Sequence, residues 1–403
     1  MTVLYLHQYF NTPKMSGGTR SYEMARRMVA KGHEVHMITT DREISANMGD
    51  WEEERIDGIT IHWLGVPYDN KMSFFERVKA FFIFAFKAGS KAIFLDGDII
   101  FATSTPLTIA IPAIQAKKKL KIPMIFEVRD LWPEVPIAIG ILRNPIFKYL
   151  AKQLELYAYR NAEQVVALSQ GMGDGVAKTG YPNKNIHIIP NSSDITMFQV
   201  KNTEGEKFRY EHAFLNNEKL VIYAGALGKV NGVGYLVDIA NEFLQLNSNV
   251  KFLIVGSGIE ENSIRTKAEK LKCLNSNFFM IDQLPKSEMP ALFNSATIST
   301  SFIIPVKELE ANSANKFFDT LAAGKPIVIN HGGWQEALIE KYNIGLVLDR
   351  DIKVAVNSLN NLLLNQSLLD TMGKNAQSLA KSHFSRDRLS SELINILEST
   401  ASN

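Results

Sequence analysis

Thr2-Val3-Leu4-Tyr5-Leu6-His7 is followed by Gly17-Gly18-Thr19-Arg20 and by Ser21 to Lys31 at helical spacing. Gly32 and Glu34-Val35-His36-Met37-Ile38-Thr39 come next. The stretch reads as strand, glycine loop, helix and strand, the unit from which parallel sheets with crossover helices are built. The same rhythm continues outward. In the first half, strands are expected at Ile59–Trp63, Asp98–Ala102, Pro123–Glu127 and Gln164–Leu168. In the second half they are expected at Leu220–Ala224, Lys251–Val255, Phe278–Ile281, Thr297–Ser301, Ile327–Ile329 and Gly345–Leu348. Between the halves lie the turn cluster Ile189–Phe198 and the polar stretch Gln199–Lys219. The expected fold class is therefore α/β, with two doubly wound parallel-sheet domains. Their boundaries are set at 1–195, 196–380 and a terminal helical segment 381–403 that packs back toward the first domain. Open parallel sheets bind ligands at the carboxyl ends of their strands, so two such domains predict a cleft between them.

Composition removes other classes. The 403 residues are 46% hydrophobic and 21% charged, enough to bury a core in each half. A net charge of +2 speaks against a dedicated nucleic-acid binder. One cysteine, Cys273, can form no internal disulfide and excludes multi-cysteine zinc motifs. The first ten residues carry no leader pattern, and the apolar run Ala80 to Phe86 is far below the ~20 residues of a membrane span. A cytoplasmic protein is expected, with contact to a membrane surface left open.

Several clusters could carry chemistry. Gly17-Gly18 before a helix suits close approach to an anion, or is an ordinary turn. Gly256-Ser257-Gly258 lacks the third glycine of a dinucleotide fingerprint, where Glu261 stands. From Asn312 to Pro326 the sequence predicts a short helix capped by Asn312 or Ser313 and stopped by Gly324 and Pro326. Ser313, Asn315 and Lys316 at its start could cradle a diphosphate, and Asp319 one turn on could accept from ribose hydroxyls; a solvated Lys–Asp pair is the alternative. Glu127, Arg129 and Asp130 cluster at the carboxyl end of an apolar strand, where charge serves function more often than packing. His7 ends the first strand and either faces the cleft or is a satisfied core histidine. Asp96-Gly97-Asp98 precedes its strand, so it reads as a turn rather than a metal-binding pair. No histidine pair has metal-ligand spacing on a helix.

The segment Ser73 to Ala92 is helical in period. One arc holds Phe74, Phe75, Val78, Phe81, Phe82, Ala85 and Phe86; the other holds Arg77, Lys79, Lys87 and Lys91 with Ile83 and Phe84 beside them. Residues 71–121 carry nine basic and three acidic side chains. A core-facing helix accounts for the first arc. Aromatics among lysines point to an interfacial face in which Phe84, Lys87 and Lys91 meet an anionic membrane.

Taken in order, these motifs resemble the retaining glycosyltransferases of family 4, of the GT-B type, over nearly the whole chain. Within that family the chain resembles the branch of O-antigen N-acetyl-L-fucosamine transferases. The resemblance rests on Gly17-Gly18-Thr19-Arg20 with Glu23 to Arg27, Lys31-Gly-His-Glu-Val35, and Glu127-Val-Arg-Asp-Leu-Trp-Pro133. It continues through Ile189-Pro-Asn191 with Asp194, Tyr223-Ala-Gly225, Val255-Gly-Ser-Gly258 and Asn315-Lys316 through Pro326. It implies two facing Rossmann-like domains, a nucleotide-sugar donor held mainly by the second and a lipid-linked saccharide acceptor by the first. It also implies metal-independent transfer with retention, no cofactor, a UDP-linked nucleotide sugar as the substrate, and a place at the inner face of the cytoplasmic membrane.

By the same resemblance Gly17, Gly18, Gly225, Lys229, Gly256, Ser313, Asn315, Lys316, Asp319 and Thr320 bind the donor. Arg129, Asp130 and Lys316 serve the reaction, and His7, Arg20, Glu127, Phe84, Lys87 and Lys91 face the acceptor or membrane. The chain departs from the family pattern in three places. Ala311 and Asp319 stand in the E-x7-E positions, with Glu310 beside the first. Arg129 stands where a histidine is common, and Ala226 and Asn231 replace a basic pair. A nucleotide-sugar epimerase of the same fold, or a non-catalytic nucleotide-sugar or glycan-binding module, are the competing readings.

Overall fold

The computed structural model describes residues 1–15, 17–42, 49–66, 74–104 and 106–402, with the backbone alone for Phe74, Phe75, Arg77 and Val78. Ser73 and those four side chains of the expected amphipathic helix therefore lie outside the described residues.

Two compact units divide the chain. The first is Met1–Pro190 with Asp387–Asn403; the second is Asn191–Arg386. In the first unit the strands are β1 (Thr2–Leu6), β2 (Glu34–Asp41), β3 (Trp51–Ile56), β4 (Ile59–Gly65), β5 (Ile99–Thr103), β6 (Met124–Val128), β7 (Gln164–Ala167) and β8 (Ile186–Ile188). They lie in the order β3-β4-β2-β1-β5-β6-β7-β8. All pairs are parallel except the hairpin β3–β4. The second unit holds β9 (Leu220–Ala224), β10 (Lys251–Val255), β11 (Phe278–Ile281), β12 (Ile298–Ser301), β13 (Ile327–Ile329) and β14 (Gly345–Val347). These run parallel in the order β11-β10-β9-β12-β13-β14.

The central strands are apolar because helices cover both faces: β5, β6 and β9 are buried at every position. In each sheet the strand order reverses beside the first strand, between β1 and β5 and between β9 and β12. The carboxyl ends at those switch points are where such sheets hold ligands.

The division falls at Pro190, ahead of the expected 195, because the turn cluster is bonded into the second unit. Asn191 N–H donates to Ser313 Oγ at 3.1 Å, and Ser193 Oγ donates to Asp319 at 2.7 Å. Arg386 pairs with Asp194 at 2.5 Å and donates to the Ser192 carbonyl at 2.7 Å. Beyond Arg386 the helix Arg386–Ala401 returns to the first unit. Leu389, Leu393, Ile394 and Leu397 join a core that includes Tyr5, Met28 and Phe101. Arg27 to Asp387 (2.7 Å) and His33 to Glu398 (3.1 Å) fasten its polar side.

One expected element is turned about its axis. The helix Phe74–Leu95 buries Ala80, Phe84, Ala85, Ala88 and Ala92, and it exposes Phe82, Phe86 and Phe94. Small side chains set this phase. A Cβ on Gly89 would collide with Gln115 and come within 3.4 Å of Pro112 Cα, so the helix Ala110–Leu120 approaches along the alanine–glycine stripe. Phe84 is therefore an inward-packing residue, not part of a membrane face. Phe82 and Phe86, which the wheel placed inward, stack on each other at the surface with centroids 6.5 Å apart.

Asp96-Gly97-Asp98 sits at the amino edge of β5, where Asp98 accepts the Thr2 N–H at 2.6 Å. It is a turn. Among the described residues no group of three His, Cys, Asp or Glu could hold a metal ion, and no helix is long and apolar enough to cross a membrane.

Candidate functional site

In the second unit the chemistry gathers at the carboxyl ends of β9 and β10. Gly225 (φ +147°) and Gly256 (φ +152°) leave those strands back to back. A Cβ on Gly256 would lie 2.0 Å from the Gly225 carbonyl oxygen, so only glycine permits the approach. The loops are joined by Gly225 N–H to the Val255 carbonyl and Leu227 N–H to the Ser257 carbonyl, both at 2.9 Å.

Lys316 lies over this junction from the first turn of the helix Asn315–Ala322. Its Nζ donates to the Tyr223 hydroxyl at 3.0 Å and sits 4.5 Å from the centre of the Tyr223 ring. A Cβ on Gly225 would stand 2.9 Å from Lys316 Cε. The ammonium is thus fixed beside a glycine edge and a helix start, the arrangement that receives a phosphoryl anion.

Other expected donor residues divide around this point. The helix begins after Ala314, whose N–H donates to Asn312 Oδ1 at 3.2 Å, so neither Asn312 nor Ser313 is the N-cap residue. Ser313 instead accepts from Asn191, which also donates to the Ser313 carbonyl at 2.5 Å. Asn315 is partly exposed at the helix start. Asp319 is half-buried and held by Ser193; burial raises its carboxyl above the usual range, while the Ser193 hydrogen bond, Arg386 and Lys286 oppose the rise. Lys229 is exposed in the turn Lys229–Asn231, and the adjoining loop is closed by Asn231 donating to the Ala226 carbonyl at 2.8 Å.

Thr320 does not belong to a donor site. It is fully buried, and its hydroxyl donates to the Lys316 carbonyl at 2.6 Å, which braces the helix from inside.

In the first unit Gly17 (φ +121°) and Gly18 stand ahead of the helix Arg20–Ala30, with the Asn11 amide donating to the Gly18 carbonyl at 3.4 Å. His7 and Arg129 come together after β1 and β6. An Arg129 N–H meets His7 Nε2 at 3.3 Å. Burial, then Arg129 and Arg42, holds the imidazole well below its usual range, so it is neutral. Asp130 follows; desolvation pushes its carboxyl up to about 6, and Arg129 opposes the rise.

Arg20 and Glu127 are not acceptor contacts. They form an interior pair at 2.9 Å with side chains 3% and 0% exposed. Arg20 also donates to the Ile189 and Pro190 carbonyls, and Thr103 donates to Glu127 at 2.6 Å. Lys87 reaches the Gly49 carbonyl, and Lys91 lies over Trp51 and Phe94. Sequence reading quoted Asn191 and Tyr223 within family motifs without giving them a place in the site, and it missed Ser193 and Arg42. Asn191, Ser193 and Tyr223 act through partners far away in the chain, while Arg42 and Tyr223 stand at the carboxyl ends of strands, a positional signal.

Comparison with known families agrees with this geometry. The model of the glycosyl transferase 4-like domain matches residues 17–192, and that of glycosyl transferases group 1 matches residues 204–379. The chain belongs to the GT-B glycosyltransferases of the family 4, group 1 type. Among similar proteins, WcaI of Escherichia coli (strain K12) is 22% identical over 81% of this chain and 82% of its own; its name places it provisionally among colanic acid biosynthesis glycosyl transferases. CapM of Staphylococcus aureus, a capsular polysaccharide biosynthesis glycosyltransferase, is 23% identical over 61% of this chain and 64% of its own. Of solved structures, Anabaena Alr3699/HepE in complex with UDP and glucose shares the fold with a TM-score of 0.75, 15% identity and coverage of 98% and 99%. Sucrose-phosphate synthase from Thermosynechococcus elongatus does so with a TM-score of 0.80, 14% identity and coverage of 99% and 98%. At these identities the likeness concerns the fold. The glycosyltransferase thus brings together Lys316, Gly225 and Gly256 in one unit, and His7 and Arg129 in the other.

Proposed function

We propose that this glycosyltransferase moves an N-acetylated hexosamine or deoxyhexosamine from a UDP-linked donor to a lipid-linked saccharide, with retention, in O-antigen or capsule assembly. The observation that carries the donor half is Lys316, held over the Gly225–Gly256 junction at a helix start. As the sugar leaves, negative charge grows on the departing diphosphate. A pre-positioned ammonium and free helix N–H groups meet it without reorganising, and no metal is needed in this reading. The leaving phosphate can take the acceptor's proton, so no strong base is required, and Arg129 and Asp130 orient the reacting sugars. Asp319 engages the ribose through the oxygen that Ser193 does not occupy. UDP in complexes of the Anabaena protein and the polysaccharide names of the relatives support the choice of base and pathway class.

Support for a lipid-linked acceptor comes from the first unit's surface. Phe86 and Phe94 are 63% and 81% exposed on the helix that carries Lys79, Lys87 and Lys91. Ile141, Ile146, Tyr149 and Leu150 are also exposed, next to Arg143 and Lys148. Apolar side chains interleaved with lysine and arginine are the composition of a peripheral membrane face.

A thermal-shift screen of UDP-, GDP-, CMP- and ADP-sugars tests the donor, since a ligand of the folded state raises the melting point. A UDP-N-acetylhexosamine should give the largest shift; a larger shift with another base would overturn the UDP assignment. Sedimentation with anionic liposomes at low salt tests the surface, and a protein left wholly in the supernatant would exclude it.

A further inference from the structure

The carboxyl edge of the first unit holds a second cationic group that the donor chemistry does not use. β2, β1, β5 and β6 are neighbours in the sheet, and their carboxyl ends deliver Arg42, His7 with Gln8, Ser104 and Arg129 in that order. Both arginines are partly exposed, and neither makes an ion pair with a carboxylate among the described residues. Each is steered by a neutral group instead. Arg42 donates to Asn11 Oδ1 at 2.6 Å and lies 5.8 Å from the centre of the Tyr9 ring. Arg129 donates to His7 Nε2, and its own backbone N–H is held by Ser104 Oγ at 2.9 Å.

Because Nε2 accepts that bond, the proton of neutral His7 resides on Nδ1. Nδ1 is buried without a protein partner, as is Oε1 of Gln8. Both residues are more than nine-tenths buried. A core does not leave such groups unpaired beside two guanidiniums, of which Arg129 is partly balanced by the adjacent Asp130, unless something polar reaches that edge.

We propose that Arg42 and Arg129 form an oxyanion site for a diphosphoryl group of the acceptor, with His7 as the positioning residue that orients Arg129. Guanidinium forks match phosphoryl oxygens in pairs, and two of them balance a doubly charged group. The chemistry is shared by a lipid diphosphate and by free diphosphate. This inference rests on the acceptor-domain reading above but not on the identity of the donor.

The test is calorimetry on the full chain with inorganic diphosphate, farnesyl diphosphate and UDP. In a Lys316→Gln background, which removes the donor-side cation, inorganic diphosphate is expected still to bind, and to bind about tenfold or more weakly once Arg42→Gln or Arg129→Gln is added. Arg42→Lys should recover part of the loss, and the melting temperature of each variant reports its folding. UDP affinity should be unchanged in Arg42→Gln and reduced in Lys316→Gln. Tighter binding of farnesyl diphosphate, lost in the same arginine variants, assigns the site to a lipid diphosphate; equal binding assigns it to the diphosphate alone. Diphosphate affinity unchanged by both arginine substitutions in that background, or abolished by Lys316→Gln alone, would overturn the proposal. Failure of UDP to bind wild type would instead strike the donor reading and leave this site standing.

Discussion

Lys316 is fixed by one hydroxyl and one ring, both from Tyr223. Its charge therefore cannot wander, and its worth lies in where it stands. Lys316→Gln is expected to lower turnover by about 10²–10³-fold, the loss typical of one transition-state donor. Tyr223→Phe keeps the ring but removes the hydroxyl, so steady-state kinetics should show a smaller drop, about tenfold. Asp319→Ala should weaken nucleotide binding in calorimetry; unchanged affinity would remove the ribose contact and leave Asp319 as the anchor of Ser193. Arg20 and Glu127 teach the opposite lesson at this scale. Their charges look functional in sequence but cancel inside the unit, and Glu127→Ala takes from Arg20 the carboxylate that balances its charge. Chemical denaturation should register a loss of about 3–5 kcal/mol.

Elements were legible in proportion to how much of their pattern is local. Every buried parallel strand announced itself as a short β-branched run. The edge strands β3 and β8 did not: Trp51–Ile56 is Trp-Glu-Glu-Glu-Arg-Ile, mostly exposed, and Ile186–Ile188 spans three residues. The signal for β3 was there in Asp57-Gly58, both at positive φ, the pair a two-residue hairpin favours. The helix Phe74–Leu95 was visible but its rotation was not, because its phase is set by alanines and Gly89 against a neighbouring helix rather than by its own phenylalanines. Site residues followed the same rule. Positions on one loop or one helix turn could be read, while Tyr223 under Lys316 required knowing which strand lies beneath.

Two element-level tests follow. Gly256→Ala must push the β9 and β10 loops apart; a cost of about 1–3 kcal/mol and loss of nucleotide binding are expected. His62 on β4 is buried, 3.0 Å from His36, and is held down to about 3 by burial, Lys91 and His36, with Glu53 on its other side. Its folded pKa lies below the unfolded value near 6.5, so the unfolded chain binds the extra proton. Stability should fall as pH drops from about 6.5 toward 3, and His62→Gln should flatten that part of the curve in thermal melts.

On the scale of the whole molecule, the first unit is assembled from two stretches separated by the second. Leu389, Leu393, Ile394 and Leu397 fill a core whose other members all precede Pro190. Removing residues 387–403 would open that core along a helix-length face and take away the Asp387 contact of Arg27 and the Glu398 contact of His33. The truncated chain is expected to lose the first unit's thermal transition, or to aggregate, while residues 191–386 still melt cooperatively in calorimetry.

That discontinuity also dictates a schedule. About 200 residues separate the two stretches of the first unit, so at ~5–20 residues/s a ribosome needs roughly 10–40 s to bring the closing helix out. During that interval the part made earliest waits with its apolar seam open, and the part made second can finish first. The nascent sheet is then the segment most in need of a chaperone, even though translation began with it.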